Sequence, residues 1–566
     1  MTFAKLFSQS LNRRVAGFRS PFVNSSSPSA LAPKTRFFNT SRPRANASSS
    51  SPSSSSKPSP SSGKSVWKIT KRVGLGFIAA SVLYYGLSVY RFRHPDEKQP
   101  LPDPTKKTLV ILGAGWGATS ILRTIDSSLY NVVVVSPRNY FLFTSLLPST
   151  ATGSVHSRSI VQPIRYLLRH KSHFVKFYEA ECTDVDKDGK TVEIRRQTSD
   201  GQELVEKINY DYLVCSVGAE TQTFGIPGIE EHGCFLKEMW DSQKIRTRIM
   251  KCLEQAQFKD LDPETRRRYV HFVVVGGGPT GMEFAGEMAD FIKDDLKSWF
   301  PELANDFSVT LIEALPSVLP MFSSKLREYT KSLFARTNIN IRTNTALKEV
   351  TADSIIVEVK DPEGNKVEES IPFGLLVWAG GNRPRPLINK IIHSLEEQTN
   401  RRGLIVDDYM QVKGMQDVFA LGDCTSTAYA PTAQVASQQG AFLGQLFNKL
   451  GSLDFEKPRV DRYIAVGEEL DSAALISLAN EKHASTKVFR PFKYSHQGSL
   501  AYIGHEKAIA DLNVPFLDKQ IHASGYLAFF FWRSAYLSEL YSLRNRTNVM
   551  LDWIRTSLFG RDISSI

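Results

Sequence analysis

Cysteine is scarce in this chain, and the spacing of the few that occur excludes several kinds of site. The five cysteines among 566 residues are Cys182, Cys215, Cys234, Cys252 and Cys424. None of them forms a C-x-x-C or similar close pair, which argues against a disulfide framework, a zinc site and a redox-active dithiol loop. Asp184, Asp186 and Asp188 begin like a calcium loop, but Arg195 stands where the loop needs a bidentate glutamate. We therefore predict no metal site.

Acidic residues are absent from the first 44 positions, which are rich in arginine and serine. This composition predicts a mitochondrial transit peptide over residues 1–44, with a disordered basic tail as the alternative. Residues 45–72 are rich in serine and proline, and we interpret them as a linker. Residues 73–90 carry no charge and are just numerous enough to predict a transmembrane helix, although the core of a signal peptide has a similar composition.

The net charge of +12 would suit either a nucleic-acid partner or an anionic membrane surface. No RNP or zinc-finger pattern is present, and much of the basic excess lies near the two chain ends. We therefore predict no nucleic-acid partner and favour chain ends that face a membrane. Basic residues are slightly more frequent before the uncharged run than after it. If the positive-inside rule applies, the large domain faces the intermembrane space.

Glycine is concentrated in a loop that follows the first long apolar run of the chain. Leu109–Leu112 is apolar without alternation, as in a strand that is buried on both faces of a parallel sheet. The loop that follows, with Gly113, Gly115 and Gly117, matches G-x-G-x-x-G/A and precedes a helical pattern. Such glycines allow a tight turn and a close approach to a pyrophosphate at a helix N-terminus. The match alone leaves a ligand-free glycine turn as an alternative.

A second loop of the same kind lies near the middle of the chain, after the strand pattern at residues 270–275. Its glycines are Gly276, Gly277, Gly278 and Gly281. The next strand ends in Glu313, which suits the hydroxyls of a ribose and repels a 2′-phosphate, so that this loop favours NADH. Two such loops predict an α/β fold with two Rossmann-like dinucleotide-binding domains.

Each predicted unit also has a later strand that ends in small residues, which indicates an internal structural repeat. The first such strand leads to Gly218 and Ala219, and the second leads to Gly380. A further strand delivers Asp423 on a glycine turn, where a carboxylate suits the hydroxyls of a flavin ribityl chain. The alternative role for Asp423 is a helix cap.

An acidic residue is missing where the first unit should bind a ribose, because the second strand ends in Ser136-Pro137-Arg138. Together with the motifs Phe224–Gly228, Val274–Gly281, Phe419–Asp423 and Pro431–Gln434, this segment resembles the two-dinucleotide flavoproteins. The resemblance is closest to the type II, or alternative, rotenone-insensitive NADH:ubiquinone oxidoreductases of mitochondria, and within them to the external fungal form. It covers residues 107 to the C-terminus.

The resemblance implies non-covalent FAD, NADH as substrate, ubiquinone as acceptor, a homodimer and no proton pumping. It implies that the flavin nucleotide is held by Gly113, Gly115, Gly117, Ser136, Arg138, Thr144, Gly218, Ala219, Asp423, Ala433 and Gln434. The NADH segment would contain Gly276, Gly277, Gly278, Gly281, Glu283, Glu313 and Gly380. Gln434 and Gln438 would form the wall of the quinone site and act in catalysis.

The expected reaction is a ping-pong transfer, in which NADH gives a hydride to the flavin and ubiquinone then takes two electrons. A sulfide:quinone reductase and a non-catalytic NADH-sensing flavoprotein are the alternatives. The expected location is the mitochondrial inner membrane, facing the intermembrane space. The paucity of cysteine argues against the sulfide enzyme.

Domain bounds follow from these assignments. We predict an FAD-binding domain in two parts, residues 107–245 and 400–450, around an NADH-binding domain at 270–385. Residues 485–566 form a C-terminal domain with two aromatic, arginine-containing helical patterns. We interpret these as amphipathic helices that lie in a membrane interface, with core or dimer packing as the alternative.

Overall fold

The computed structural model describes residues 76, 79–91, 93–94, 99–360, 363–455, 471–482, 489–514 and 519–564. The elements discussed below belong to the unit that comprises residues 77–566. The predicted transit peptide at residues 1–44 and the predicted linker at residues 45–72 lie outside the described residues.

The segment predicted to cross a membrane, residues 73–90, is only partly described, since residues 73–75 and 77–78 are not. Residues 79–91 form a helix. Within the described parts of the chain, no helix is both long enough and apolar enough to cross a membrane. The structure therefore does not support the predicted transmembrane helix.

The strands and helices from residue 108 onwards include two long runs of strands, β5–β10 at residues 176–221 and β14–β19 at residues 339–384. The strands are β1 (Thr108–Leu112), β2 (Asn131–Ser136), β3 (Tyr140–Leu142), β4 (Val161–Pro163), β5 (Lys176–Glu179), β6 (Glu181–Asp186), β7 (Thr191–Gln197), β8 (Glu203–Asn209), β9 (Tyr212–Cys215), β10 (Ala219–Thr221), β11 (Cys234–Phe235), β12 (His271–Val275), β13 (Ser308–Ile312), β14 (Ile339–Arg342), β15 (Ala346–Val350), β16 (Ser354–Lys360), β17 (Lys366–Pro372), β18 (Leu375–Trp378), β19 (Asn382–Pro384), β20 (Val418–Ala420), β21 (Ser499–Tyr502), β22 (Ala508–Val514) and β23 (Lys519–Gly525). The α-helices are α1 (Trp116–Thr124), α2 (Leu147–Thr152), α3 (Ile164–Leu168), α4 (Ile229–His232), α5 (Met239–Ala256), α6 (Pro263–Tyr269), α7 (Pro279–Phe291), α8 (Lys297–Trp299), α9 (Ser324–Arg336), α10 (Pro386–Ser394), α11 (Ala433–Phe455), α12 (Ser472–Lys482), α13 (Tyr526–Glu539) and α14 (Leu543–Phe559).

The first parallel sheet has the strand order β20-β9-β1-β2-β5. Its central strand β1 pairs with β2 and β9, so that Ile111 lies beside Val134 and Val214. All three side chains are fully buried. An apolar run without alternation is the pattern of a strand covered on both faces, as predicted for Leu109–Leu112. The last strand of the sheet, β20, comes from much later in the chain and pairs in parallel with β9.

The second parallel sheet has the strand order β11-β18-β12-β13-β14. Strand β12 lies between β13 and β18 in the same way that β1 lies between β2 and β9. Each central strand leads through a glycine loop into a helix, α1 after β1 and α7 after β12. The structure therefore has two related α/β units, and the predicted internal repeat is present.

Helix α11 packs directly on α1. It belongs to the first unit, although in the sequence it follows the second unit. A Cβ atom on Gly440 would lie 2.2 Å from the carbonyl oxygen of Gly117, which only glycine at position 440 allows. The hydroxyl of Ser120 donates to the carbonyl of Ser437 at 2.6 Å. This close approach holds the start of α11 against the first glycine loop.

The C-terminal region consists of the antiparallel sheet β21-β22-β23 followed by α13 and α14. One face of these helices is buried, with the Trp532 and Trp553 rings 6.1 Å apart. The other face exposes large apolar side chains, namely Tyr526, Leu527, Phe530, Phe531, Met550, Leu551, Ile554, Leu558 and Phe559. The aromatic and apolar residues of the two predicted helices are thus divided between a buried face, which includes Trp532 and Trp553, and an exposed face.

Candidate active site

A cavity of about 900 Å³ lies beyond the carboxyl ends of β1, β2, β9 and β20. Parallel sheets place ligand sites at this edge. The predicted site residues that line it are Gly113, Gly115, Gly117, Ser136, Arg138, Thr144, Gly218, Ala219, Glu283, Gly380, Asp423, Ala433 and Gln434. The fold therefore brings together residues that lie more than three hundred positions apart in the sequence.

The first glycine loop forms one side of the cavity. Gly113 has a φ of +114°, and a Cβ atom there would lie 2.2 Å from the carbonyl oxygen of Ser216. A Cβ atom on Gly117 would lie 1.9 Å from Leu421 Cδ1, whereas the space beyond Gly115 is open. Helix α1 begins at Trp116 without a side-chain cap. Its first N–H groups therefore remain available to an anion.

The second glycine loop has the same construction, but most of its predicted residues lie outside the cavity lining. A Cβ atom on Gly281 would lie 2.0 Å from the carbonyl oxygen of Gly276. The N–H of Gly277 donates to Glu313 Oε2 at 2.6 Å, and that of Leu315 donates to Oε1 at 2.8 Å. Gly276, Gly277, Gly278, Gly281 and Glu313 are not lining residues, but Pro279 and Thr280 at the start of α7 are.

Two charged side chains of the cavity lining, Lys237 and Asp423, are close enough to affect each other's pKa. Lys237 Nζ donates to Asn382 Oδ1 at 2.6 Å. Burial lowers the pKa of Lys237, and Asp423 opposes that shift. Burial raises the pKa of Asp423, and Lys237 opposes it. The pair therefore brings one cation and one carboxylate to the same part of the wall.

A chain of ion pairs closes another part of the wall. Arg138, predicted beside the flavin nucleotide, is paired with Glu238. Glu238 also lies 3.7 Å from the guanidinium of Arg385, whose Nε donates to the carbonyl of Val217 at 2.8 Å. Arg138, Glu238, Arg385 and Val217 all line the cavity. These contacts link β2, β9 and the start of α5 and α10 around one opening.

Glu283 lies on α7 but is directed towards the C-terminal region. Its Oε1 accepts the N–H of Tyr502 at 3.2 Å and the hydroxyl of Tyr536 at 3.4 Å. Burial raises the pKa of Glu283 to about 8, and the neighbouring charge of Glu287 acts in the same direction. A carboxyl group that holds a proton near neutral pH therefore lines the cavity next to Tyr536.

Further along α7, Glu287 joins three segments of the chain. Its carboxylate accepts the hydroxyls of Ser149, Thr152 and Ser154 at 2.7, 3.2 and 3.0 Å. The guanidinium of Arg561 lies 3.7 Å away and is itself only 7% exposed. Arg561 also donates to Asp295 at 2.7 Å. The end of the chain is thus fixed to the helix that carries Glu283.

The two predicted catalytic glutamines have different surroundings. Gln434 lines the cavity, whereas Gln438 does not. Gln438 Nε2 donates to the carbonyl of Ser495 at 2.8 Å, and the N–H of Ser495 donates to Gln438 Oε1 at 2.9 Å. Val435 N–H donates to Thr432 Oγ1 at 3.3 Å, as expected if Thr432 caps α11.

The five cysteines are all buried free thiols. Cys182 is a lining residue, and burial raises its pKa to about 12. Burial likewise raises the pKa of Cys424 to about 11. A thiol with so high a pKa is a poor nucleophile at neutral pH because little thiolate is present.

Comparisons with known proteins agree with this architecture. Residues 107–440 match the model of the pyridine nucleotide-disulphide oxidoreductases, and residues 496–562 match that of the NDH2 C-terminal domain. The chain is 77% identical to a probable mitochondrial NADH-ubiquinone oxidoreductase of Schizosaccharomyces pombe, over 89% of this chain and 91% of the relative. The chain belongs to the mitochondrial NADH-ubiquinone oxidoreductase family.

Other members of this family give the same result at lower identity. The external alternative NADH-ubiquinone oxidoreductase of Yarrowia lipolytica is 46% identical, over 88% of this chain and 87% of its own. The structure of NDH2 from Plasmodium falciparum in complex with NADH is 27% identical and has a TM-score of 0.70. It covers 81% of this chain and 100% of its own. A sulfide:quinone oxidoreductase from Aquifex aeolicus, 18% identical with a TM-score of 0.54, shares the fold.

Several residues that line the cavity were not predicted from the sequence, including Lys237, Glu238, Arg385 and Tyr536. Lys237 and Glu238 follow β11 after a single residue, Leu236, and a charged pair so soon after an apolar strand was a signal that could have drawn attention to them. Arg385 and Tyr536 carried no such signal, because only the tertiary structure brings them to the cavity.

Proposed function

We propose that the chain oxidises NADH and reduces ubiquinone in a ping-pong reaction, with non-covalent FAD and without proton pumping. The observation that carries this proposal is the continuity of the cavity. It runs from the first glycine loop past Pro279 and Thr280 at the start of α7 to Gln434 and Tyr536. One cavity therefore meets the nucleotide loops of both units and the C-terminal helix α13.

The residues of the first unit fit FAD. Cβ atoms at Gly113 and Gly117 would collide with the protein, while the space beyond Gly115 and Gly218 is open. The uncapped N-terminus of α1 suits the pyrophosphate, and Asp423 suits the ribityl hydroxyls. When bound, FAD supplies the chemistry that accepts a hydride from NADH and passes two electrons to a quinone. The chain's own residues bind, orient and exclude water.

The second unit binds NADH in this proposal, with its pyrophosphate at the start of α7. Glu313 stands at the end of β13, where each carboxylate oxygen accepts one backbone N–H and keeps a lone pair for a ribose hydroxyl. A 2′-phosphate would bring a second negative charge to the same place, so that NADPH is disfavoured. The Plasmodium relative is named as a complex with NADH.

The quinone enters from the side of α13 and α14, and Gln434 donates a hydrogen bond to one of its carbonyl oxygens. Tyr536 and the protonated Glu283 also line the cavity and are hydrogen-bonded to each other. Gln438 holds the segment that contains Ser495 rather than touching the quinone. NADH leaves as NAD⁺ before the quinone reacts, which makes the kinetics ping-pong.

The exposed apolar face of α13 and α14 rests on the mitochondrial inner membrane, on the side of the intermembrane space. Its nine large side chains form a patch of the kind that marks membrane or protein contact. The proposal also includes a homodimer that forms through the C-terminal helices. Resistance of the C-terminal region to protease in intact mitochondria would contradict the external location, and a monomer in analytical ultracentrifugation would contradict the dimer.

The reaction is tested in two halves with purified protein. We expect anaerobic NADH to bleach the flavin absorbance and a short-chain ubiquinone to restore it. Failure of either half would refute the proposed function, and bleaching without restoration would leave an NADH-sensing flavoprotein. Sulfide should cause no bleaching, because the pKa values of Cys182 and Cys424 are about 12 and about 11 and neither thiol is a ready nucleophile.

A further inference from the structure

The segment of residues 489–498, called here the covering segment, lies over the first turns of α11. It is held by the two hydrogen bonds between Ser495 and Gln438 and by a hydrogen bond from Phe492 N–H to the carbonyl of Asp408 at 2.8 Å. The same segment contacts Gln434 through two donors. The N–H of Gln497 donates to Gln434 Oε1 at 3.1 Å, and the hydroxyl of Tyr494 donates to the same oxygen.

These contacts determine which way the side-chain amide of Gln434 faces. A backbone N–H is only a donor, so the Gln434 atom next to Gln497 must be the oxygen. The amide nitrogen then points the other way. It reaches the carbonyl of Gly498 at 3.5 Å, and its second N–H has no partner among the described residues. Gln434 lines the cavity, and this second N–H is the donor on which the proposal below depends.

We propose that Tyr494 is a positioning residue for quinone reduction, because it locks the Gln434 amide with an N–H directed at the quinone carbonyl. The inference rests on the proposed function and adds the residue that orients the donor. A quinone oxygen gains negative charge as it is reduced, and a fixed N–H donor stabilises that charge without reorganisation. A flipped amide would present its own oxygen to the quinone oxygen and repel it.

Tyr494 is itself held in the donating role. Its ring lies 5.4 Å from that of Tyr429, and its oxygen lies 3.0 Å from His496 Nδ1. A hydroxyl has one hydrogen, so the Tyr494 oxygen that donates to Gln434 accepts from an N–H of His496. Burial raises the pKa of Tyr494, which keeps the phenol protonated at neutral pH.

The first test is Tyr494→Phe, which removes one of the two donors that orient Gln434. We expect kcat/KM for ubiquinone-1 to fall about tenfold, the equivalent of about 1.4 kcal/mol, and the affinity of the oxidised enzyme for ubiquinone-1 to weaken. The rate of flavin bleaching by NADH should stay unchanged. Tyr429→Phe is the matched control, because it changes a neighbouring tyrosine that does not contact Gln434, and it should leave both half-reactions unchanged.

The second test separates positioning from general stabilisation of the covering segment. Gln434→Glu keeps an oxygen for Tyr494 and Gln497 but has no N–H to donate, and we expect it to lose more quinone activity than Tyr494→Phe. In the Gln434→Glu background, Tyr494→Phe should cause no further loss. An additive loss, or a Gln434→Glu enzyme that keeps full quinone activity, would overturn the inference. If the unmodified enzyme bleaches with NADH but is not reoxidised by ubiquinone-1, the proposed function itself fails.

Discussion

The raised pKa of Glu283 predicts how the free energy of unfolding changes with pH. Its pKa is about 8 in the folded protein, against an ordinary value of 4.5. Between these two values the folded chain binds more protons at this site than the unfolded chain. Stability therefore falls as pH rises from about 4.5 to about 8, and the full cost is present above pH 8. Glu283→Gln removes this cost while keeping an oxygen for Tyr502 and Tyr536.

The size of the effect follows from the pKa difference. One pH unit in this window corresponds to about 1.4 kcal/mol for a single site. From pH 5.5 to pH 7.5 the Gln variant should therefore gain about 3 kcal/mol relative to the unmodified protein. Urea unfolding of the flavin-saturated proteins, followed by tryptophan fluorescence at several pH values, measures this difference.

Glu287→Gln provides the control, because this carboxylate already has three hydroxyl donors and Arg561. Replacing it by an amide removes charge opposite Arg561 and should destabilise the protein. The reasoning about Glu283 would be refuted by a stability difference that does not change with pH, or by destabilisation in Glu283→Gln across the whole range.

Three further substitutions have expected outcomes. Arg561→Met leaves the carboxylate of Asp295 buried without its partner and should lower the free energy of unfolding by about 3–5 kcal/mol; a loss below 1 kcal/mol in urea unfolding would contradict the account of the C-terminal tail. Gly117→Ala places a Cβ atom 1.9 Å from Leu421 and should yield protein with a reduced flavin content, measured by absorbance after purification. Gly281→Ala places a Cβ atom 2.0 Å from the backbone oxygen of Gly276, so that it should raise KM for NADH at least about tenfold while the flavin stays bound. Equal flavin loss in both glycine variants would show that the two loops do not serve different nucleotides.

The sequence was sufficient to predict the features that depend on local backbone geometry. Both glycine loops, the apolar central strands and the repeat of the two units follow from short patterns, because a tight turn or a buried parallel strand restricts residue type within a few positions. Gly113 and Gly276, for example, adopt φ values of +114° and +119° that side chains other than glycine rarely allow.

Features that depend on contacts between distant segments were beyond the sequence patterns. Gln434 and Gln438 are one helical turn apart, which correctly places them on the same side of α11, but the covering segment takes up the side chain of Gln438. Glu283 follows the second glycine loop, and nothing in the local sequence shows that Tyr502 and Tyr536 will reach it. Likewise, the uncharged run at residues 73–90 predicted a transmembrane helix, whereas no helix in the described parts of the chain is long and apolar enough to be one.

The discontinuous first sheet affects the order in which the chain can fold. The strands of the second sheet all lie within residues 234–342 and 375–378, so that this sheet can form from one continuous piece of chain. The first sheet needs the pairing of Phe419 with Val214 before β20 can complete it. This pairing closes a loop that runs from Val214 to Phe419. Closing so long a loop costs conformational entropy before any contact compensates for it, and such pairings form slowly. During synthesis, the second α/β unit can therefore be complete while the first still lacks its last strand. The part of the cavity wall that carries Asp423, just after β20, is then completed only after the second unit has folded.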